Sequence, residues 1–450
     1  MRRLVLVVGL GTAVLGVAGP AFAQFQPPRP RNERPQRGLF GSGTSNTDHR
    51  VVMNLSFGGG YDDDILGQGS GVPIPGPAPV GPRTGEFAYA SAGLTYDVSR
   101  DTVQASANLS GTGQYFPNNL SPRVFSLGAG LQASWRVTSR TTLSTSNQFT
   151  SQPNTLRMLY GNPIDAETPP DSVDTLKYSL GRVTYQDFRS SVGFDQSLTE
   201  KLSANLGYTY YSVDYNSTAQ SAYRAHTVSG QLRYAFTKSF GAHGGYGRTT
   251  TDYDSVGSAP SGNYSGGTVD AGVDFNKALS LTRRTSLAFG TGVSGIQYGD
   301  DSQYFLTGFV TLTHEVGRSW TATLEARRST NFYQTFGQPV ISDDVTGGIS
   351  GLLHRRITVG GHGGWSRGTV GLAGVAPEFW SLTAGGMMRW AMSSSTGLTF
   401  SYSVFNYVFD EASGPLPFLM EPEMRRQTAL VTFDFTMPLV TVARRANASR

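Results

Sequence analysis

The chain has no cysteine among its 450 residues, so neither a disulfide framework nor a thiolate metal site can hold it together. Charged side chains make up only 15% of it. Beyond the first two dozen residues, no apolar run approaches the roughly 20 residues that a membrane-spanning helix needs, and no segment sustains a helical apolar period. A helical architecture is therefore disfavoured. With Arg2 and Arg3 set aside in the leader described below, the 36 Lys and Arg fall to 34, against 32 Asp and Glu. Nucleic-acid binding, which needs a concentrated basic face, is disfavoured as well.

What the chain does have is 56 glycines and a period of two. In the stretch DFRSSVGFDQSLTEKLSANLGYTYY, beginning at Asp187, two alternating runs are hinged at Thr199, Glu200 and Lys201. Leu202, Ala204, Leu206, Tyr208 and Tyr210 share one parity, and Ser203, Asn205, Gly207 and Thr209 the other. Side chains of a strand point alternately to its two faces, so each arm has an apolar and a polar face. The arms run to roughly ten to thirteen residues, the span a tilted strand needs to cross a bilayer, whereas soluble strands have a mode near five or six.

The pattern recurs. Eighteen strands are expected between about residues 50 and 440, the tenth at about 267 to 277, the eleventh at 285 to 298 and the fourteenth at 344 to 355, and alternation is cleanest where Val103, Ala105, Ala107 and Leu109 alternate with Gln104, Ser106, Asn108 and Ser110. They are linked alternately by short polar turns, near Arg100, Arg140, Glu200, Lys238, Arg283, Arg318, Arg355 and Ser394, and by mostly longer loops. Trp135, Tyr234, Phe236, Phe240, Phe275, Trp320 and Trp390 fall beside short turns, and Tyr61, Tyr210, Tyr246 and Trp365 toward long loops, as the two aromatic girdles of a membrane barrel would. A propeller packs four short strands into each forty-residue repeat, and here only two long ones fit. The fold expected is an all-β, transmembrane, antiparallel up-and-down barrel of about eighteen strands.

Residues 1–23 read as a secretory signal: Arg2 and Arg3, an apolar run from Leu4 to Gly19, and Ala21-Phe22-Ala23 ahead of Gln24. Residues 24–48 are rich in proline and arginine and read as a disordered periplasmic tether able to contact a periplasmic or cell-wall partner. The barrel is expected over 49–441, with a tail at 442–450. Short turns on the periplasmic side and an even strand number put both termini in the periplasm of a bacterial outer membrane, whose lipid is the barrel's first partner.

The turn-then-strand segments SRDTVQASANLSGTGQYF, TEKLSANLGYTYY and GRSWTATLEARRSTNFY resemble those of the outer-membrane β-barrel porins of Gram-negative bacteria, some of which are associated with exopolysaccharide export. The resemblance covers nearly everything after Asp48 and implies a channel for hydrophilic solutes. Its alternatives are a component of polysaccharide export, or a plugged barrel with a binding or structural role.

Catalysis is not legible. His49, His226, His243, His314, His354 and His362 are scattered without close metal-type partners, so no enzyme, metal or cofactor is expected. The acidic runs Asp62-Asp63-Asp64, Asp300-Asp301 and Asp343-Asp344 are expected as solvated loop charge. GGHGG and GVSG lack a following helix and are read as close-contact positions in strands, not phosphate loops. The loop from Ser151 to Arg182 either folds into the bore and narrows it or stays outside. The site residues expected are inward ionisable groups just ahead of the short turns: Asp97, Arg136, Asp195, Arg233, Asp274, Glu315, His354, Arg389 and Asp434. With His354 neutral they carry three positive charges against five negative, and over the first five the signs alternate, so neighbours two strands apart can pair. The ring is read first as solvated ion pairs that keep the mouth open, and in the alternative as a selectivity ring of weak cation preference.

Overall fold

The structure, a computed structural model, describes residues 39–40, 47–63, 84–117, 123–153, 184–215, 222–253, 262–278, 284–298, 301–333, 338–370, 378–409 and 423–443. The signal sequence, most of the tether, the loop between Ser151 and Arg182 beyond Pro153, and the end of the tail lie outside the described residues.

The described chain is strand throughout, with no helix among the described residues. Eighteen strands follow one another: β1 Thr47–Asp62, β2 Gly85–Ser99, β3 Val103–Tyr115, β4 Arg123–Arg136, β5 Thr141–Pro153, β6 Thr184–Ser197, β7 Leu202–Tyr215, β8 Tyr223–Ala235, β9 Phe240–Tyr253, β10 Gly262–Ala278, β11 Thr285–Tyr298, β12 Asp301–Val316, β13 Trp320–Tyr333, β14 Gln338–His354, β15 Ile357–Val370, β16 Glu378–Ala391, β17 Thr396–Phe409 and β18 Glu423–Ala443. Each pairs antiparallel with its neighbours in sequence, and β1 also pairs with β18, from Thr47↔Ala443 to Asp62↔Thr428. The sheet is therefore closed. Closure leaves no row of unpaired backbone amides, which is what allows a sheet to stand in lipid.

Alternation sorts the side chains onto two faces. Phe125, Leu127, Leu131 and Trp135 of β4 and Tyr304, Leu306 and Val310 of β12 lie on one face, exposed by as much as 66% (Phe125) and 73% (Tyr304). The opposite face holds Ser126, Thr209, Thr251, Ser294, Thr307 and Thr432, all buried. Curvature crowds side chains on the concave side, so the shielded polar face is the inner one. The apolar outer face is the surface a bilayer covers. Exposed aromatics stand toward both ends of it: Tyr61, Tyr246 and Trp365 toward the long loops, and at the short-turn end Tyr234 packs edge-on against Phe236 at 5.2 Å and Phe236 stacks on Phe240 at 5.5 Å.

Four short turns share one device. The hydroxyl of Thr199 accepts the amides of Lys201 and Leu202 at 3.2 and 2.9 Å, that of Thr237 those of Ser239 and Phe240 at 3.2 and 3.0 Å, and that of Ser393 those of Ser395 and Thr396 at 3.1 and 3.0 Å. Thr138 accepts the Arg140 amide at 3.1 Å. A hydroxyl two residues ahead of an amide stands in for a backbone acceptor, which is why Ser and Thr lead these turns. The turn after β12 uses Gly317 instead, at φ 67°, where a side chain would be strained.

Where they are described, the acidic runs lie in strands or directly at their ends and not in loops; Asp64 and Asp300 lie outside the described residues. Asp62 ends β1 on the inner face, 2% exposed, and Arg426 of β18 grips both its oxygens, Nε to Oδ1 at 3.1 Å and a terminal nitrogen to Oδ2 at 2.6 Å. Asp63 accepts the Gln427 amide. The run latches the seam where first and last strands meet. Asp343 and Asp344 lie within β14, which begins six residues before the position expected for it, and Asp301 opens β12.

Candidate functional site

Building the inner wall at the short-turn end starts from register. Asp97 on β2 lies opposite Arg50 on β1, and the Arg50 guanidinium reaches its carboxylate at 2.7 Å while Ser106 of β3 donates to the other oxygen at 2.8 Å. On the far side, Arg233 of β8 bridges past β9 to Asp274 of β10 at 2.8 Å. Arg389 of β16 reaches Asp434 of β18 at 3.7 Å, with Thr399 of the intervening β17 between them, accepting from Arg389 at 3.0 Å and donating to Asp434. Of the pairings expected among the first five groups, Arg233 with Asp274 is made, and Arg389 with Asp434 is a two-strand pair beyond them.

The other members stand differently. Asp195 is exposed and accepts from Asn205 at 2.7 Å. Arg136 is exposed, Glu315 half-buried, and His354 exposed in its turn, where it accepts the Arg356 amide at 3.3 Å. These four are not drawn into the ion pairs above.

No protein-family model matches the chain, and no curated protein does. In shape it is similar to the siderophore receptor PirA from Pseudomonas aeruginosa, at 11% identity, covering 86% of this chain and 80% of that one with a TM-score of 0.42. It is also similar to OccAB4 from Acinetobacter baumannii (11% identity, 88% and 100% covered, TM-score 0.41) and OpdQ from Pseudomonas aeruginosa (10% identity, 87% and 98% covered, TM-score 0.41). Likeness this slight carries no activity across, and the barrel stands on its own strand register.

One cluster on the wall was only half legible. Asp274, 1% exposed, also takes the Nδ1 side of His243 at 3.0 Å, while the Nε2 side of the same ring meets Asp270 at 3.1 Å. Arg233, His243, Asp270 and Asp274 form one network across β8, β9 and β10. Gly290 on β11 leaves room for it, because a Cβ there would come 3.1 Å from Asp274 and closer still to the ring of Phe309. The space beside the network is about 10 Å³, room for one water molecule and nothing larger. Among the described residues, no group of three or more acidic, His or Cys side chains is disposed to hold a metal ion.

Reasoning from sequence missed Arg50 and His243 because it followed only even-numbered strands down to their turns, and Asp270 because on β10 it took only the last inward ionisable residue, Asp274. Arg50 and His243 sit on odd-numbered strands rising from the same end, at the inward parity, and that parity is the signal that would have found them. At the long-loop end the inner face changes character: Phe87, Tyr89, Phe116, Val124 and Leu430 form a buried apolar cluster, with Phe87 and Phe116 at 5.3 Å.

Proposed function

We propose that the protein is an outer-membrane channel through which hydrophilic solutes cross. The observation that carries this reading is the inner face: it is polar along the wall, and it exposes ionisable groups both at the short-turn end, Arg136 and Asp195, and farther up, Arg189. Eighteen strands give a circumference wide enough for an aqueous bore, which the wall's hydroxyls, amides and ion pairs would line. Asp97, Arg136, Asp195, Arg233, Asp274, Glu315, His354, Arg389 and Asp434 are then lumenal, and both termini face the periplasm.

The buried cluster of Phe87, Tyr89, Phe116, Val124 and Leu430 favours a second reading, in which the long-loop end is packed shut and the barrel binds or supports rather than conducts. Purified protein in a planar bilayer separates the two. A channel gives discrete current steps in KCl. A folded, heat-modifiable barrel that inserts and passes no current would overturn the first reading in favour of the second.

A further inference from the structure

The chain reaches the barrel wall before β1 begins. The amide of Leu39 donates to the carbonyl of Arg355, 2.8 Å away in the turn between β14 and β15. Phe40 then lays its ring 5.0 Å from the guanidinium carbon of Arg389. The same ring rests on Gly397: a Cβ built there would come within 3.1 and 3.3 Å of two ring carbons. Arg389 and Gly397 are on the inner face, beside the short turn that joins β16 to β17.

These contacts describe a built seat. Glycine at 397 supplies the recess, since any side chain would fill the space the ring occupies. The cation is held in place by the wall, because Arg389 donates to Thr399 at 3.0 Å and lies beside Asp434, and a fixed cation attracts the face of an aromatic ring. Leu39 and Phe40 are the one adjacent apolar pair in a stretch otherwise rich in proline, arginine, glycine and serine, flanked by Gly38 and Gly41. Going round the barrel, β15, β16, β17 and β18 separate the Arg355 turn from β1, while the ring sits against β16 and β17, with β18 between β17 and β1.

We propose that Leu39 and Phe40 form a strap seated inside the short-turn mouth, and that the occupied seat narrows the bore to solutes. The narrowing rests on the channel reading above; the seat does not. The strap is seated through a backbone hydrogen bond and a ring contact and not through a strand ladder, so its release would leave the closed sheet intact.

The absence of cysteine makes the test clean. In the double variant Phe40→Cys with Gly397→Cys, mild oxidation of the folded barrel should cross-link the pair, seen as a mobility shift on a non-reducing gel. Phe40→Cys with Asn205→Cys, whose partner lies across the barrel on β7, should not cross-link. In the planar bilayer, the oxidised Gly397 pair should conduct less than its reduced form, and Phe40→Ala should conduct more than the unmodified protein. Equal cross-linking to both positions, or none to Gly397→Cys, overturns the seat. Identical conductance of oxidised, reduced and Phe40→Ala proteins overturns the narrowing. Selective cross-linking in a barrel that never conducts keeps the seat and refutes the channel instead.

Discussion

Leu206 and Asn205 are adjacent in β7 and meet different media: Leu206 points outward, 57% exposed, while Asn205 points inward to Asp195. Arg at an outward mid-bilayer position costs about 2 to 4 kcal/mol, and an inward one meets water. Leu206→Arg should therefore impair assembly in a folding gel-shift assay and Asn205→Arg should not; equal tolerance would mean the register is wrong. The same scale separates two arginines. Arg426, 4% exposed, is locked to Asp62, and Arg426→Ala strands a buried carboxylate at a cost of about 3 to 5 kcal/mol. Arg328 meets Asp343 at 3.4 Å with both side chains about half exposed, so Arg328→Ala should cost no more than about 1 kcal/mol. Urea titration of the two variants checks the contrast. Parity alone made Leu206 and Asn205 legible in the sequence. It could not reveal the latch, because Asp62 and Arg426 are 364 positions apart and nothing local marks them as partners.

Strand ends and turns belong to the next scale. The expected positions agree closely with the strands wherever apolar alternation runs to the end, as at β11, and fall short where it fades. β10 pairs with β9 from Gly262↔Tyr253 onward, five residues before the expected start, through Gly262, Asn263, Tyr264, Ser265 and Gly266, which do not alternate. Backbone ladders continue beyond the apolar band, where lipid no longer demands alternation, so periodicity sees the membrane-facing part of a strand and not its whole length. Turns were legible as polar breaks, but not their hydroxyl device. Thr199 holds two amides of its turn, and since water can replace an exposed partner, Thr199→Ala should lose about 0.5 to 1 kcal/mol and Thr199→Ser should recover it. A urea midpoint for Thr199→Ser no better than that for Thr199→Ala would show that the hydroxyl is idle.

For the whole molecule, the strand count and the alternation of short and long links follow from the chain's own rhythm, but the charge of the bore depends on which groups neutralise one another. Arg50 adds a positive charge to the ring read from sequence, making four positive against five negative with His354 neutral. Three pairs, Arg50 with Asp97, Arg233 with Asp274 and Arg389 with Asp434, cancel at contact distance. In the proposed channel this mouth then presents mainly Arg136, Asp195 and Glu315, one positive against two negative, while farther up the wall the inner face also exposes Arg189. Asp274, although it carries charge, is 1% exposed and held by Arg233 and His243, so its field is spent on those neighbours. Under a KCl gradient the channel should be weakly cation-selective. Asp195→Asn with Glu315→Gln should carry the reversal potential through zero toward anions, because Arg136 is then left alone. Asp274→Asn, by contrast, should lower stability in urea because Arg233 and His243 lose the buried carboxylate they share, with a smaller shift in reversal potential. A larger shift from Asp274→Asn than from the double variant would mean that the paired groups, and not the free ones, set the field in the bore.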